Sequence, residues 1–140
     1  MHVEFAHYFP EIAKAQTRSL SFSQNNPYGF PGGIYLLKDL YCVDRGCDCK
    51  SVYISVVNEQ GESLAMINYG WAPLKFYIRW LRGDEQMAKL FKGPSLEGAM
   101  TRQSAYAPKF LKIFKDIIKK DKAYENRLKS HYALVKDIIG

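Results

Sequence analysis

An α+β fold is predicted by the order in which two kinds of periodicity occur along the 140-residue chain. Up to Tyr69 the apolar residues alternate with polar ones or run in short β-branched and aromatic blocks, broken by Gly, Pro and Asn, as strands and turns do. From Pro73 onward they recur at steps of three and four, the pattern of amphipathic helices. Strands first and helices afterwards predict an antiparallel meander of about three to four strands followed by about four helices packed on one face, in a single domain spanning 1–140.

Pro10-Glu11-Ile12-Ala13 suits a short opening helix, with proline in the first turn where its missing N–H costs nothing. Arg18 to Phe22 alternates polar with apolar and reads as a strand, and the Gly- and Pro-rich run from Asn25 to Gly33 is a loop. Ile34–Cys42 and Ser51–Val57 read as buried strands. Asn58-Glu59-Gln60-Gly61 turns the second of them into a hairpin with Ser63–Tyr69, glycine supplying the positive φ of such a turn. Pro73 opens a helix that carries Leu74, Tyr77, Ile78 and Leu81 on one side and stops at Gly83. Asp84 caps a short helix through Met87, Leu90 and Phe91 to Gly93, and 94–106 reads as irregular. Pro108 starts a helix with an apolar stripe of Phe110, Ile113, Phe114, Ile117 and Ile118, and Asp121 caps a final helix to about Ile139.

Three cysteines, the only ones in the chain, fall within Cys42-Val43-Asp44-Arg45-Gly46-Cys47-Asp48-Cys49, between two predicted strands. Ligands one residue apart point to the same side of an extended chain, so Cys47 and Cys49 can converge, and a bend at Gly46 lets Cys42 return to them. Clustered thiolates are what a tetrahedral zinc site needs, and zinc is the expected cofactor. The spacing C-x4-C-x-C supplies three donors, so a fourth must come from elsewhere. The imidazoles are His2, His7 and His131. His131 is the favoured fourth ligand, because Tyr124, Leu128, His131, Val135 and Ile138 form the inward stripe of the last helix. His7, Asp44, Asp48 and water compete with it, water leaving an open catalytic position. A bound metal would pin a local loop here, since a chain of this size can bury a core without staples. The bland alternative is three buried, inert thiols, and a third use is a reactive thiolate near Arg45 or Lys50.

The run Tyr41-Cys42-Val43-Asp44-Arg45-Gly46-Cys47-Asp48-Cys49-Lys50, preceded by Gly33-Ile34-Tyr35 and followed by Ile67-Asn68-Tyr69-Gly70-Trp71, resembles a family of small uncharacterised prokaryotic proteins with a YC-x-D-x-x-CDC signature. The resemblance covers most of the chain. It implies no known activity, and supports the loop as a site without saying for what.

Charge and composition narrow the function further. The net charge is +6, and residues 109–140 carry nine Lys and Arg against four Asp and Glu, a net of +5. Lys112, Lys115, Lys119, Lys120, Lys122 and Lys129 therefore form a basic stripe that suits a solvated helix face and, beyond that, weak contact with nucleic acid or another polyanion. The first residues lack the basic and apolar regions of a secretion signal, and no segment approaches the roughly 18 apolar residues of a membrane span, so a cytoplasmic protein is expected. Three thiols in a reducing compartment are ligands or free thiols rather than disulfide partners.

Motifs for phosphate loops, dinucleotide folds, zincin proteases and serine hydrolases are absent. Asp48-Cys49-Lys50 matches the D-x-K half of a metal-dependent nuclease core, which makes a hydrolase or nuclease using the Cys42–Lys50 loop the competing reading. Soft thiolates in the same loop suit zinc better than the magnesium of that chemistry. Tyr69, Trp71, Phe76, Tyr77 and Trp80 read as core where sheet meets first helix rather than as a stacking surface. A non-enzymatic zinc-binding or interaction module is the reading these observations favour.

Overall fold

The computed structural model describes residues 1–98 and 103–140. Six strands, β1 (His2–Glu4), β2 (Arg18–Phe22), β3 (Gly33–Cys42), β4 (Ser51–Val57), β5 (Ser63–Gly70) and β6 (Ser95–Leu96), make one antiparallel sheet in the order β1-β3-β4-β5-β6. The second strand shares an edge of β3 with the first: β1 pairs with residues 40–42 and β2 with residues 33–37. Between them the chain crosses in two short helices, α1 (Phe5–Tyr8) and α2 (Pro10–Gln16). The predicted meander is thus the centre of a wider sheet. β1, β6 and α1 give no periodic signal in the sequence because two to four residues hold no full repeat.

Four further helices follow the hairpin: α3 (Leu74–Trp80), α4 (Glu85–Lys92), α5 (Ala107–Lys120) and α6 (Lys122–Ile139). Their starts obey local chemistry. Asp84 accepts a hydrogen bond from Met87 N at 3.1 Å and Asp121 from Tyr124 N at 3.0 Å. Part of the irregular segment predicted over 94–106 lies outside the described residues, and the part before it contains β6.

The helices do not share one face of the sheet, contrary to expectation. Along β5, Ala65, Ile67 and Tyr69 join the main core with Phe110, Phe114, Tyr124 and Leu128 of α5 and α6. The intervening residues face α3 and α4: Asn68 Nδ2 donates to the carbonyls of Leu90 and Phe91 at 2.9 and 2.7 Å, and a Cβ on Gly70 would overlap the Tyr77 hydroxyl. Both faces of β4 and β5 are covered, which is why nearly every residue of β4 is buried.

The outer edge of β5 is closed in an unusual way. Only Ile67 and Asn68 pair with β6. At Met66 the side-chain amide of Gln103 takes the place of a strand, accepting from the backbone N–H at 2.9 Å and donating to the carbonyl at 3.0 Å, and Ser104 N donates to Leu64 O at 3.1 Å. Among the described residues no helix is long and apolar enough to cross a membrane.

Candidate metal centre

Cys42 ends β3 and Lys50 precedes β4, so the cysteine loop is the connection between two central strands. The loop bends where Cys47 N donates to Asp44 O at 3.2 Å, around Gly46 at φ 76°. Left-handed backbone favours glycine there, and the same conformation recurs at Lys50, with φ 49°. These bends fold the chain so that the three Sγ atoms all lie within 4.8 Å of one another. Tetrahedral zinc with Zn–S bonds of about 2.3 Å holds its sulfurs about 3.8 Å apart, so small side-chain rotations close the site around an ion. Cys42 and Cys49 are buried and Cys47 is half-buried, which puts one ligand at the mouth and two inside.

Packing the thiols together has an electrostatic cost. Burial, and then the nearby Cys49 and Cys42 sulfurs, push the Cys47 thiol up to about 12. A divalent cation reverses that by binding the thiolate form. Three thiolates around such an ion leave a charge of about −1, and cations stand close by. Lys136 Nζ donates to Cys42 O at 2.8 Å, and Lys50 Nζ lies 3.8 Å from Asp48, which takes up part of its charge.

The loop is fastened to the last helix by residues that periodicity did not single out. Tyr132 donates through its hydroxyl to Asp48 Oδ1 at 2.9 Å and accepts from Lys50 N at 3.2 Å, with its ring edge-on to Trp71. The Lys136 ammonium lies 5.3 Å above the same ring. On the other side, Tyr77 donates to Lys50 O at 2.7 Å, so Tyr77 binds the loop as well as filling the core.

His131 faces inward as its stripe predicts, at 2 % exposure, yet it does not join the cysteines. Its Nδ1 lies 2.7 Å from Asp39 Oδ2, its Nε2 lies 2.8 Å from Gln16 Oε1, and its ring stacks on Phe5 at 3.7 Å. With both ring nitrogens held by Asp39 and Gln16, His131 is turned to this network rather than to the cysteines, which corrects the expectation of a fourth ligand there. Asp39 also accepts from Tyr41 at 2.7 Å, so the group is a buried structural network. The signal for it was an acid at the inward position of β3, where residues 35, 37 and 41 are apolar or aromatic. A buried carboxylate there requires a partner.

The other candidates are also placed. His7 is exposed against Tyr8, while His2 is the cross-strand partner of Cys42 and stacks on Tyr53 at 3.7 Å. Asp44 Oδ2 lies 3.5 Å from Cys42 Sγ. Among the described residues no fourth His, Asp or Glu joins the three sulfurs in one grouping, and no cluster of carboxylates accompanies Asp48 to complete a D-x-K centre. Comparison with protein-family models, with curated proteins and with solved structures gives no match to this chain, so a functional reading rests on the geometry of the cysteine loop.

Proposed function

We propose that this protein is a zinc-binding module that holds one ion through Cys42, Cys47 and Cys49 and acts by binding rather than by catalysis. The observation that supports it is the convergence of all three thiols within 4.8 Å on a loop anchored at both ends. Inert core thiols would not need a loop folded back by two left-handed residues and gathered at a half-exposed mouth. The fourth position falls to a donor from a binding partner, because the grouping among the described residues holds sulfurs alone; water there would leave the open position of a catalytic site and favour the hydrolase reading instead. That same observation favours one second reading, a three-coordinate soft ion such as Cu(I), for which three thiolates are a sufficient set.

Elemental analysis of protein purified without chelator tests this directly. About one zinc per chain is expected, and none after joint replacement of Cys47 and Cys49 by Ser. Copper in place of zinc would favour the second reading. Folded protein that carries no metal and takes up neither ion when supplied would overturn both.

A further inference from the structure

Away from the cysteine loop, α5 and the start of α6 border an open groove of about 630 Å³. Its floor is formed by Ile113, Ile117 and Tyr69, and its rim carries Lys112, Lys115, Lys119 and Lys122. The apolar stripe of α5 is therefore wider than its buried part: Phe110, Phe114 and Ile118 enter the core, while Ile113 and Ile117 stay half-buried beneath the lysines. The four rim lysines are exposed, and among the described residues none meets a carboxylate within 4.0 Å. The two acids of the groove are already engaged, Asp116 by Lys120 at 3.1 Å and Glu125 by Lys129 at 3.8 Å and by the Tyr69 hydroxyl. Positive charge is thus left in surplus where the surface is concave.

We propose that this groove binds the sugar-phosphate backbone of nucleic acid, through its charge and without reading bases. Lys112 and Lys119 are seven residues apart on one helix, about 10 Å at 1.5 Å per residue, the axial run of about three phosphates of one strand. A single small phosphate is a poor fit, because among the described residues nothing closes over the rim to exclude water and each exposed lysine contributes little alone. A polymer with regularly spaced charges engages several lysines at once and releases its counterions. A flat anionic membrane is the poorer match, since the lysines edge a concavity rather than standing on a convex face.

The test is fluorescence anisotropy of the full-length protein with a labelled 20-nucleotide single strand of mixed sequence and with the corresponding duplex, read across a salt series. Micromolar or weaker binding is expected at physiological salt, about 10⁻⁶ to 10⁻⁴ M. Changing Lys112, Lys115, Lys119 and Lys122 together to Gln should reduce the slope of log Kd against log salt for the single strand by nearly 3, at about 0.7 for each phosphate that a lysine no longer neutralises. A control that removes the same charge elsewhere, Lys14→Gln with Lys75→Gln, Arg79→Gln and Lys89→Gln, should leave most of that slope in place. Equal reductions in the two variants would show attraction by net charge alone and overturn the assignment. So would binding to phosphatidylserine vesicles with none to either nucleic acid, or binding to no polyanion.

Discussion

Replacing His131 by Ala separates the two roles an inward imidazole could have. The ring makes a charge-assisted contact with Asp39, a second contact with Gln16 and a stack on Phe5. A hydrogen bond to a charged group contributes about 1.5–3 kcal/mol and a neutral one about 1 kcal/mol. An aromatic stack adds about 0.5–1.5 kcal/mol. Together these predict a loss near 4 kcal/mol, a large part of the 5–15 kcal/mol by which domains are usually stable. Asp39, itself 5 % exposed, would keep the Tyr41 hydroxyl as its remaining side-chain partner in the network. His131→Asn, whose amide can still donate to Asp39, should lose about half as much. Urea unfolding followed by circular dichroism gives both values. A double-mutant cycle with Asp39→Asn should return a coupling of about 1–3 kcal/mol. Zinc content, measured at low temperature where each variant is folded, should stay unchanged. Loss of zinc from either variant while circular dichroism shows it folded would refute the reasoning and return His131 to the metal.

Two more outcomes follow from named groups. Because the Cys47 thiol is held up to about 12 in the metal-free protein, its proton must be displaced throughout the neutral range, and Cys47 alone should raise zinc affinity about tenfold per pH unit past pH 9, where an ordinary thiol stops contributing. Chelator competition between pH 7 and 9.5 measures this, and an affinity that levels off by pH 9 would count against it. Gly70→Ala should cost about 1–3 kcal/mol, since the added methyl meets the Tyr77 hydroxyl and the Phe91 carbonyl rather than open space, and denaturant titration within a few tenths of the parent would show that α3 can move aside.

Local patterns made much of the fold legible. The hairpin of β4 and β5 and the α5–α6 pair were readable because β-branched runs, a glycine turn and the cap Asp121 all act within a few residues. Which face each helix covers was not readable: β5 buries residues on both sides, and its composition does not say which side meets α4. The cysteine cluster was legible for the same local reason, eight residues holding all three thiols. The stripe of α6 placed Tyr124, Leu128, His131 and Val135 in the core, while Ile138 stays half-exposed. What the stripe could not show was a partner 92 residues away in β3. Nor could it show that Tyr132 and Lys136, off the main apolar line, would be the residues touching the loop.

The substitution of a side-chain amide for a strand at Met66 bears on how copies of this protein behave when crowded. An open strand edge is a template for pairing with another chain, and the hazard grows with its length and apolar character. Here the long strands lie inside the sheet, the flanking ones are β1, β2 and β6 with three, five and two residues, and β2 presents Arg18, Ser19 and Ser21 among its residues. Where β6 runs out, Gln103 and Ser104 occupy the hydrogen-bonding groups of Met66 and Leu64 that an incoming strand would need. Two polar residues thus cover the stretch of β5 that β6 leaves unpaired, and a neighbouring chain meets fewer open hydrogen-bonding groups along that edge of the β-rich, aromatic centre.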